Sequence, residues 1–259
     1  MAEEALLFEV GEGVETITLN RPKALNALNL QVVADLHKAI LAAEENDDVR
    51  VIVITGAGRA FVAGADIMEM VDRDGDFMAS HSRQVHQCFL RIINCSKPVI
   101  AAINGLALGG GLELAMACHY RIASEKSVLG QPEVMLGAIP GGGGTQLLPR
   151  LIGKSAATYY LLTGENIPAS DAYRLGIVDR LVPPDMVMVT AMAVAKVIAR
   201  KAPIAVRLML EGVREGFNLD LASALDLEES LWRRNGNTED FQNGVKAFSQ
   251  KKPVVFKGK

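Results

Sequence analysis

The stretch KPVIAAINGLALGGGLELAMAC, residues 97–118, sets the fold. Its first part, KPVIAAING (Lys97–Gly105), is a short apolar run ending at glycine, the pattern of a strand buried on both faces. Its last part, LELAMAC, starts a helix. Between them stand Gly109, Gly110 and Gly111, followed by a single acidic residue, Glu113. A buried carboxylate is costly unless it is paired or hydrogen-bonded. A place in the first turn of a helix, where negative charge is favourable, explains its stability but not the three glycines. Glycines ahead of a helix let another molecule approach the backbone, with free N–H groups pointing outward. The stretch therefore reads as strand, amide-lined loop and helix, with a carboxylate beside the amides.

The flanking sequence repeats the strand and helix alternation. VETITLNRP (Val14–Pro22) alternates before a turn, as a half-buried strand does. Leu28, Val32, Val33, Leu36 and Ile40 mark an amphipathic helix. VRVIVITGAG (Val49–Gly58) is a buried strand ending in a tight loop, about 83–94 reads as a helix, and YRIAS as a short strand. Strands alternating with helices give an α/β fold with crossover connections. From about Thr190 the pattern is helical throughout. Thr238, followed by Glu239 and Asp240, is a helix start. No internal repeat is visible.

Two further loops carry candidate chemistry. FVAGADI (Phe61–Ile67) exposes backbone at Ala63, Gly64 and Ala65. GQPEVMLGAIPGGGG (Gly130–Gly144) holds a second carboxylate, Glu133, with no partner evident nearby in sequence.

Composition narrows the functional classes. The chain has 259 residues, 49% of them hydrophobic and 22% charged, enough for one large core. A net charge of -3 argues against a nucleic-acid-binding face. Cys88, Cys95 and Cys118 lack C-x-x-C spacing, which favours a reducing cytoplasm over a disulfide framework or zinc site. The acidic start MAEEALLFEV does not read as a targeting segment, and no uncharged apolar run of about 18 residues marks a membrane span. TGAGRAF fails as a dinucleotide fingerprint because Phe61 stands where a small residue is needed. GKS (Gly153–Ser155) fails as a phosphate loop because Leu148 replaces its upstream glycine. No G-x-S-x-G is present. His37, His81, His86 and His119 lack metal-ligand spacing and read as surface or structural residues.

Taken together, AFVAGADIMEM (60–70), KPVIAAINGLALGGGLELAMAC and GQPEVMLGAIPGGGGTQLLPRLIG (130–153) resemble the crotonase superfamily, the enoyl-CoA hydratase/isomerase group. ITLNRPKALNAL (17–28) and EDFQNGVKAFSQKKPVVFKGK (239–259) extend the resemblance over essentially the whole chain.

The resemblance implies a spiral of ββα units, with a crotonase core over 1–200 and a C-terminal helical region over 201–259 that drives assembly as a homotrimer or a dimer of trimers. It implies acyl-CoA as the substrate and no separate cofactor or metal, since coenzyme A belongs to the substrate. No nucleic acid or membrane partner is expected, and the setting is cytoplasmic fatty-acid chemistry such as β-oxidation. By position, the backbone N–H groups of Ala65 and Gly110 form an oxyanion hole, and Glu113 and Glu133 are the catalytic pair. Ala24, Leu25, Ala63, Ala65, Asp66, Ile67, Met68 and Gly110 contact the substrate or its CoA. Met68 stands where the family commonly has lysine, so Lys23, Arg59, Lys257 or Lys259 are the candidate compensating charges. His119 stands where aspartate is frequent. The acyl-tail pocket is expected from the region 68–89 and from 140–148. Having both glutamates favours a hydratase of trans-2-enoyl-CoA, with a Δ3,Δ2-enoyl-CoA isomerase or a hydratase of a cyclic dienoyl-CoA as the alternatives; the low pI and both carboxylates argue against a non-catalytic RNA-binding relative.

Overall fold

The computed structural model describes residues 4–259. The chain begins with a hairpin that the sequence reading did not separate. Strands β1 (Leu6–Gly11) and β2 (Val14–Leu19) pair antiparallel through Glu12 and Gly13, both at positive φ (53° and 79°). Positive φ at both central residues matches the twist of a two-residue hairpin turn to that of its strands.

Helix α1 (Leu30–Glu45) then leads to β3 (Val51–Gly56), parallel to β2. Two strands and a helix recur three times from this point. The sets are β3, β4 (Ala60–Val62) and α2 (Gly75–Ile93); β5 (Val99–Ile103), β6 (Leu106–Leu108) and α3 (Gly110–Ala117); and β7 (Tyr120–Ser124), β8 (Val128–Gly130) and α4 (Gly144–Ile152). The first strand of each set joins one sheet and the second joins another. After α5 (Lys154–Thr163), the chain adds β9 (Ile167–Pro168), α6 (Ala169–Leu175) and β10 (Arg180–Val182). The sheet orders are β1-β2-β3-β5-β7-β10 and β4-β6-β8-β9. The ββα succession is thus present in space although the units share no recognisable sequence repeat. It is held by strand register and burial, which many apolar residues satisfy.

Both faces of the larger sheet are covered, which is why its central strands read as continuous apolar runs. Ile52, Ile54, Val99, Ala101 and Ile103 belong to the main core with α1, α2 and α3. Their alternates Val51, Val53, Ile100 and Ala102 pack with Val187, Ala191 and Ala195 of α7 (Val187–Ala199). Three more helices follow, α8 (Pro203–Gly216), α9 (Leu221–Gly236) and α10 (Glu239–Ser249).

Two helix starts differ from the sequence reading. Helix α1 begins at Leu30, with Asn29 as its cap accepting from Val32 N at 2.8 Å. Leu28 lies ahead of it, paired with Ala65. Helix α2 begins at Gly75, eight residues before the expected start, because Asp74 caps it by accepting from Phe77 N at 2.9 Å. Its first two residues are exposed and none of the first six is buried, so no apolar periodicity announced it. Thr238 does cap α10, accepting from Phe241 N at 3.1 Å. Asp240 does more than oppose the helix dipole: only 3% exposed, it accepts from Lys257 N and Gly258 N and ties down the C-terminal tail.

His119 has a structural role. Val99 N donates to its Nδ1 at 2.9 Å, and its Nε2 lies 3.3 Å from Ile93 O. A ring that accepts at one nitrogen and donates at the other is neutral. Burial pushes its pKa down to about 4. The unfolded chain therefore takes up a proton before the folded one does. The stability tied to neutral His119 is complete above its unfolded value and is lost as pH falls toward 4, by at most about 3 kcal/mol and less where solvent reaches the ring. Urea titrations of wild type and His119→Phe between pH 7 and 4 should show this as a stability difference that shrinks on acidification. A difference independent of pH would remove His119 from this role.

Candidate active site

Three loops converge where the two sheets meet α3. The first, Arg21–Leu28, is shaped by Leu25 and Asn26, both at positive φ (52° and 59°). The Asn26 side chain accepts from Arg21 N and donates to Ala57 O and Ala60 O, replacing partners that this irregular backbone lacks. The second loop, Ala63–Asp66, is laced to the first. Ala63 N donates to Leu25 O, Leu28 N to Gly64 O, and Asp66 N to Leu28 O. Arg21 pairs with Asp66 at 3.0 Å across the seam.

This lacing uses the Ala63 and Asp66 N–H groups and the Gly64 carbonyl but leaves Ala65 N–H without an acceptor among the described residues. Gly110 is the first residue of α3, so its N–H has no partner within the helix. The two amides are close: a β-carbon on Gly110 would lie 3.5 Å from Ala65 N. The geometry is two unfilled donors beside the positive end of a helix dipole, suited to an oxygen that gains negative charge.

Glu113, one turn into α3, is 2% exposed. Its Oε1 accepts from Gly142 N at 2.8 Å and Gly144 N at 2.7 Å. Burial pushes its pKa up to about 7; the Gly144 amide opposes the shift, and the charge of Glu133 adds to it. Glycine is required at 142, because a β-carbon there would lie 2.5 Å from Glu113 Oε2. Glu133 lies in the single-turn segment Pro132–Leu136, and burial raises its pKa as well. With the Gln131 amide oriented to satisfy both groups, its nitrogen donates to Glu133 Oε1 at 2.9 Å and Oε2 at 3.1 Å. Gly109, at φ 49°, is the second required glycine, since a β-carbon there would meet Glu133 Oε1 at 2.8 Å. Residues 130–144 thus position both carboxylates.

The amides and carboxylates share one cavity of about 200 Å³. Ala63, Ala65, Ile67, Gly110, Glu113 and Glu133 all line it. The profile of the enoyl-CoA hydratase/isomerase family matches residues 9–259. The chain belongs to that family.

Relatives are similar along their whole length. The short-chain-enoyl-CoA hydratase of Clostridium acetobutylicum is 41% identical, covering 96% of each chain. The crotonyl-CoA hydratase of Syntrophomonas wolfei is 39% identical over 99% of each. The crystal structure of the enoyl-CoA hydratase from Bacillus anthracis superposes with a TM-score of 0.95 at 37% identity, covering 99% of this chain and 100% of that one. The crotonase-type α/β fold is therefore this chain's fold.

Not every residue picked out by family position lines the cavity. Ala24 is exposed on the turn Pro22–Ala24, with Leu25 half-buried behind it. Asp66 is held by Arg21, and Met68 is 78% exposed. Lys23 and Arg59 are exposed on neighbouring loops, for a β-carbon on Gly58 would lie 3.3 Å from Pro22. Lys257 and Lys259 sit on the tail held by Asp240, and no residue of α8–α10 lines this cavity. In the expected tail-pocket regions, the lining residues are Met70, Met78, His81, Ser82 and Val85, with Gly141 and Gly142 opposite. Sequence reading missed Asn26, Gln131 and His81. Asn26 and Gln131 carry no spacing signal because their partners are distant backbone and a shaped loop. His81 was grouped with surface or structural histidines but lines the cavity and is 6% exposed.

Proposed function

We propose that this chain hydrates trans-2-enoyl-CoA thioesters to 3-hydroxyacyl-CoA by syn addition of water. One observation carries the reading: two unfilled main-chain amides, the buried carboxylate of Glu113 and the half-buried one of Glu133 border the same cavity. The thioester oxygen is placed on Ala65 N–H and Gly110 N–H, where negative charge develops as water adds at C3. Fixed donors stabilise that charge more than they stabilise the ground state. One water is held between Glu113 and Glu133. Glu113 takes its proton as the C–O bond forms, and Glu133 supplies or relays the proton to C2. Two carboxylates this close titrate as a pair, so the protons are shared states of the site.

The CoA portion is assigned to the rim formed by Ala24, Leu25, Asp66 and Met68, with Lys23 and Arg59 as exposed cations on the neighbouring loops. Residues 1–200 form the catalytic core in this reading, and 201–259 the assembly region of a homotrimer or dimer of trimers. Val213, Phe217, Leu221 and Trp232 are 65–75% exposed along the α8–α9 groove, an apolar surface that favours burial against another subunit. No helix among the described residues is long and apolar enough to cross a membrane.

The decisive assay is loss of enone absorbance on adding crotonyl-CoA. Hydration removes the chromophore. An isomerase or a binding protein leaves it intact on this substrate, and either result would replace the hydratase reading. The same preparation should sediment as three or six chains; a monomer would overturn the assembly proposal.

A further inference from the structure

The direction of Ala65 N–H is set by a run of hydrogen bonds that starts at Arg21. No peptide bond among the described residues is cis, and in a planar trans peptide the C=O and the N–H point in opposite directions. The Gly64–Ala65 peptide has its carbonyl end taken, since Leu28 N donates to Gly64 O at 2.9 Å. Its other end, Ala65 N–H, is therefore aimed away from Leu28 N. The same holds one step back. Leu28 N–H and Ala27 O belong to one peptide, and Arg21 Nη1 donates to Ala27 O at 2.5 Å. Guanidinium, Ala27–Leu28 peptide and Gly64–Ala65 peptide thus stand head to tail, and Ala65 N–H is the last donor of the row.

Arg21 is itself fixed. Its N–H donates to Asn26 Oδ1, and its carbonyl accepts from Ala24 N and Asn26 N. Its Nη2 donates to Asp66 Oδ2 at 3.0 Å, and Asp66 N donates to Leu28 O at 2.8 Å. The Arg21 and Asp66 side chains are 26% and 22% exposed. Asp66 offsets part of the guanidinium charge but leaves Nη1 on the Ala27 carbonyl. A charged donor makes a stronger hydrogen bond than a neutral one, and hydrogen bonds in a chain polarise one another. Each peptide of the row passes that polarisation on to its own N–H.

We infer that Arg21 is a positioning residue for the oxyanion hole: through the Ala27–Leu28 and Gly64–Ala65 peptides it fixes the direction of Ala65 N–H and strengthens it as a donor. Arg21 does not line the cavity and takes no part in moving the protons of hydration. The inference rests on the hydratase reading and adds to it a group acting from outside the cavity.

The test is kcat and KM for crotonyl-CoA in wild type, Arg21→Met and Arg21→Lys, with thermal melting of each. Arg21→Met should lower kcat roughly tenfold, a fraction of the loss expected for deleting an oxyanion donor outright. KM should stay within about threefold, because the relay acts on charge that develops in the transition state. Arg21→Lys keeps the charge without the planar fork, so its kcat should lie between the other two. A wild type that does not hydrate crotonyl-CoA overturns the hydratase reading and this role with it. With hydration intact, a folded Arg21→Met with unchanged kcat overturns the relay alone. A raised KM at unchanged kcat does the same and makes Arg21 a CoA contact. Folded Lys and Met variants with equal kcat also end the relay. If Arg21→Met does not fold, Arg21→Lys decides: a lowered kcat at near-wild-type KM and melting temperature supports the relay, and a wild-type kcat ends it.

Discussion

Glu113→Gln and Glu133→Gln should each slow hydration of crotonyl-CoA by about 10²–10⁴-fold, the usual contribution of a positioned acid or base. Glutamine is the informative replacement at 113 because it fits the existing hydrogen bonds. Its carbonyl oxygen can accept from Gly142 N and Gly144 N as Oε1 does, so only the capacity to take up a proton is lost. Stability should move the other way. Burial raises the Glu113 pKa to about 7 in the folded chain, above its unfolded value. The favourable contribution of the protonated acid is therefore complete below the unfolded pKa and lost as pH rises through 7. At pH 8 wild type holds a desolvated carboxylate, and Glu113→Gln relieves a cost of up to about 3 kcal/mol. A variant that is more stable at pH 8 and nearly inactive would separate catalysis from folding. If both glutamine variants hydrate at the wild-type rate, the pair is not the acid/base machinery. The pH profile adds an independent arm: with Glu113 as base, kcat/KM should fall on the acid side of about pH 7.

Gly110→Pro should lower kcat by about 10²–10³-fold, the effect expected for one lost oxyanion donor. A main-chain N–H cannot be removed by an ordinary side-chain change, but proline removes it. Gly110 is the first residue of α3, a position where proline is well tolerated because the lost N–H is not part of the helix ladder. Gly110→Ala keeps the donor, and its β-carbon would make ordinary contact 3.5 Å from Ala65 N, so its rate should fall between wild type and Gly110→Pro. Thermal melting of the three proteins checks that the loss is chemical. A folded Gly110→Pro with unimpaired kcat would remove this amide from the mechanism.

These two predictions rest on parts of the molecule that differ in how plainly the sequence displayed them. The buried strands Val51–Gly56 and Val99–Ile103 were legible because burial on both faces leaves the run apolar save for Thr55, whose hydroxyl donates to Ala102 O. The glycines around 109–111 were legible as a signal, but the chain's own packing demands two of them: a β-carbon on Gly111 would collide with Val62 O, and Gly109 is at positive φ against Glu133. The ligand-facing half of α2 was not. Its early turns pack on few apolar residues, so periodicity began only near Val85, and His81 was hidden among polar neighbours. The hairpin strand Leu6–Gly11 was likewise missed, because five of its six residues are exposed.

The sequence by itself determined the alternation of strands and helices, the helical C-terminal region and, through its spaced motifs, the family. Those properties are local, written in short-range periodicity and in residue types that only one backbone shape accepts. Tertiary structure alone decided that residues 65 and 110 bring their amides together, and that one loop at 130–144 holds both carboxylates. It also decided that the His119 ring bridges Val99 and Ile93, and that His81 lines the cavity. Each of these joins groups 20 or more residues apart in the chain or rests on a particular burial. Hydrogen bonding and desolvation depend on distance in space, which no residue spacing along the chain records.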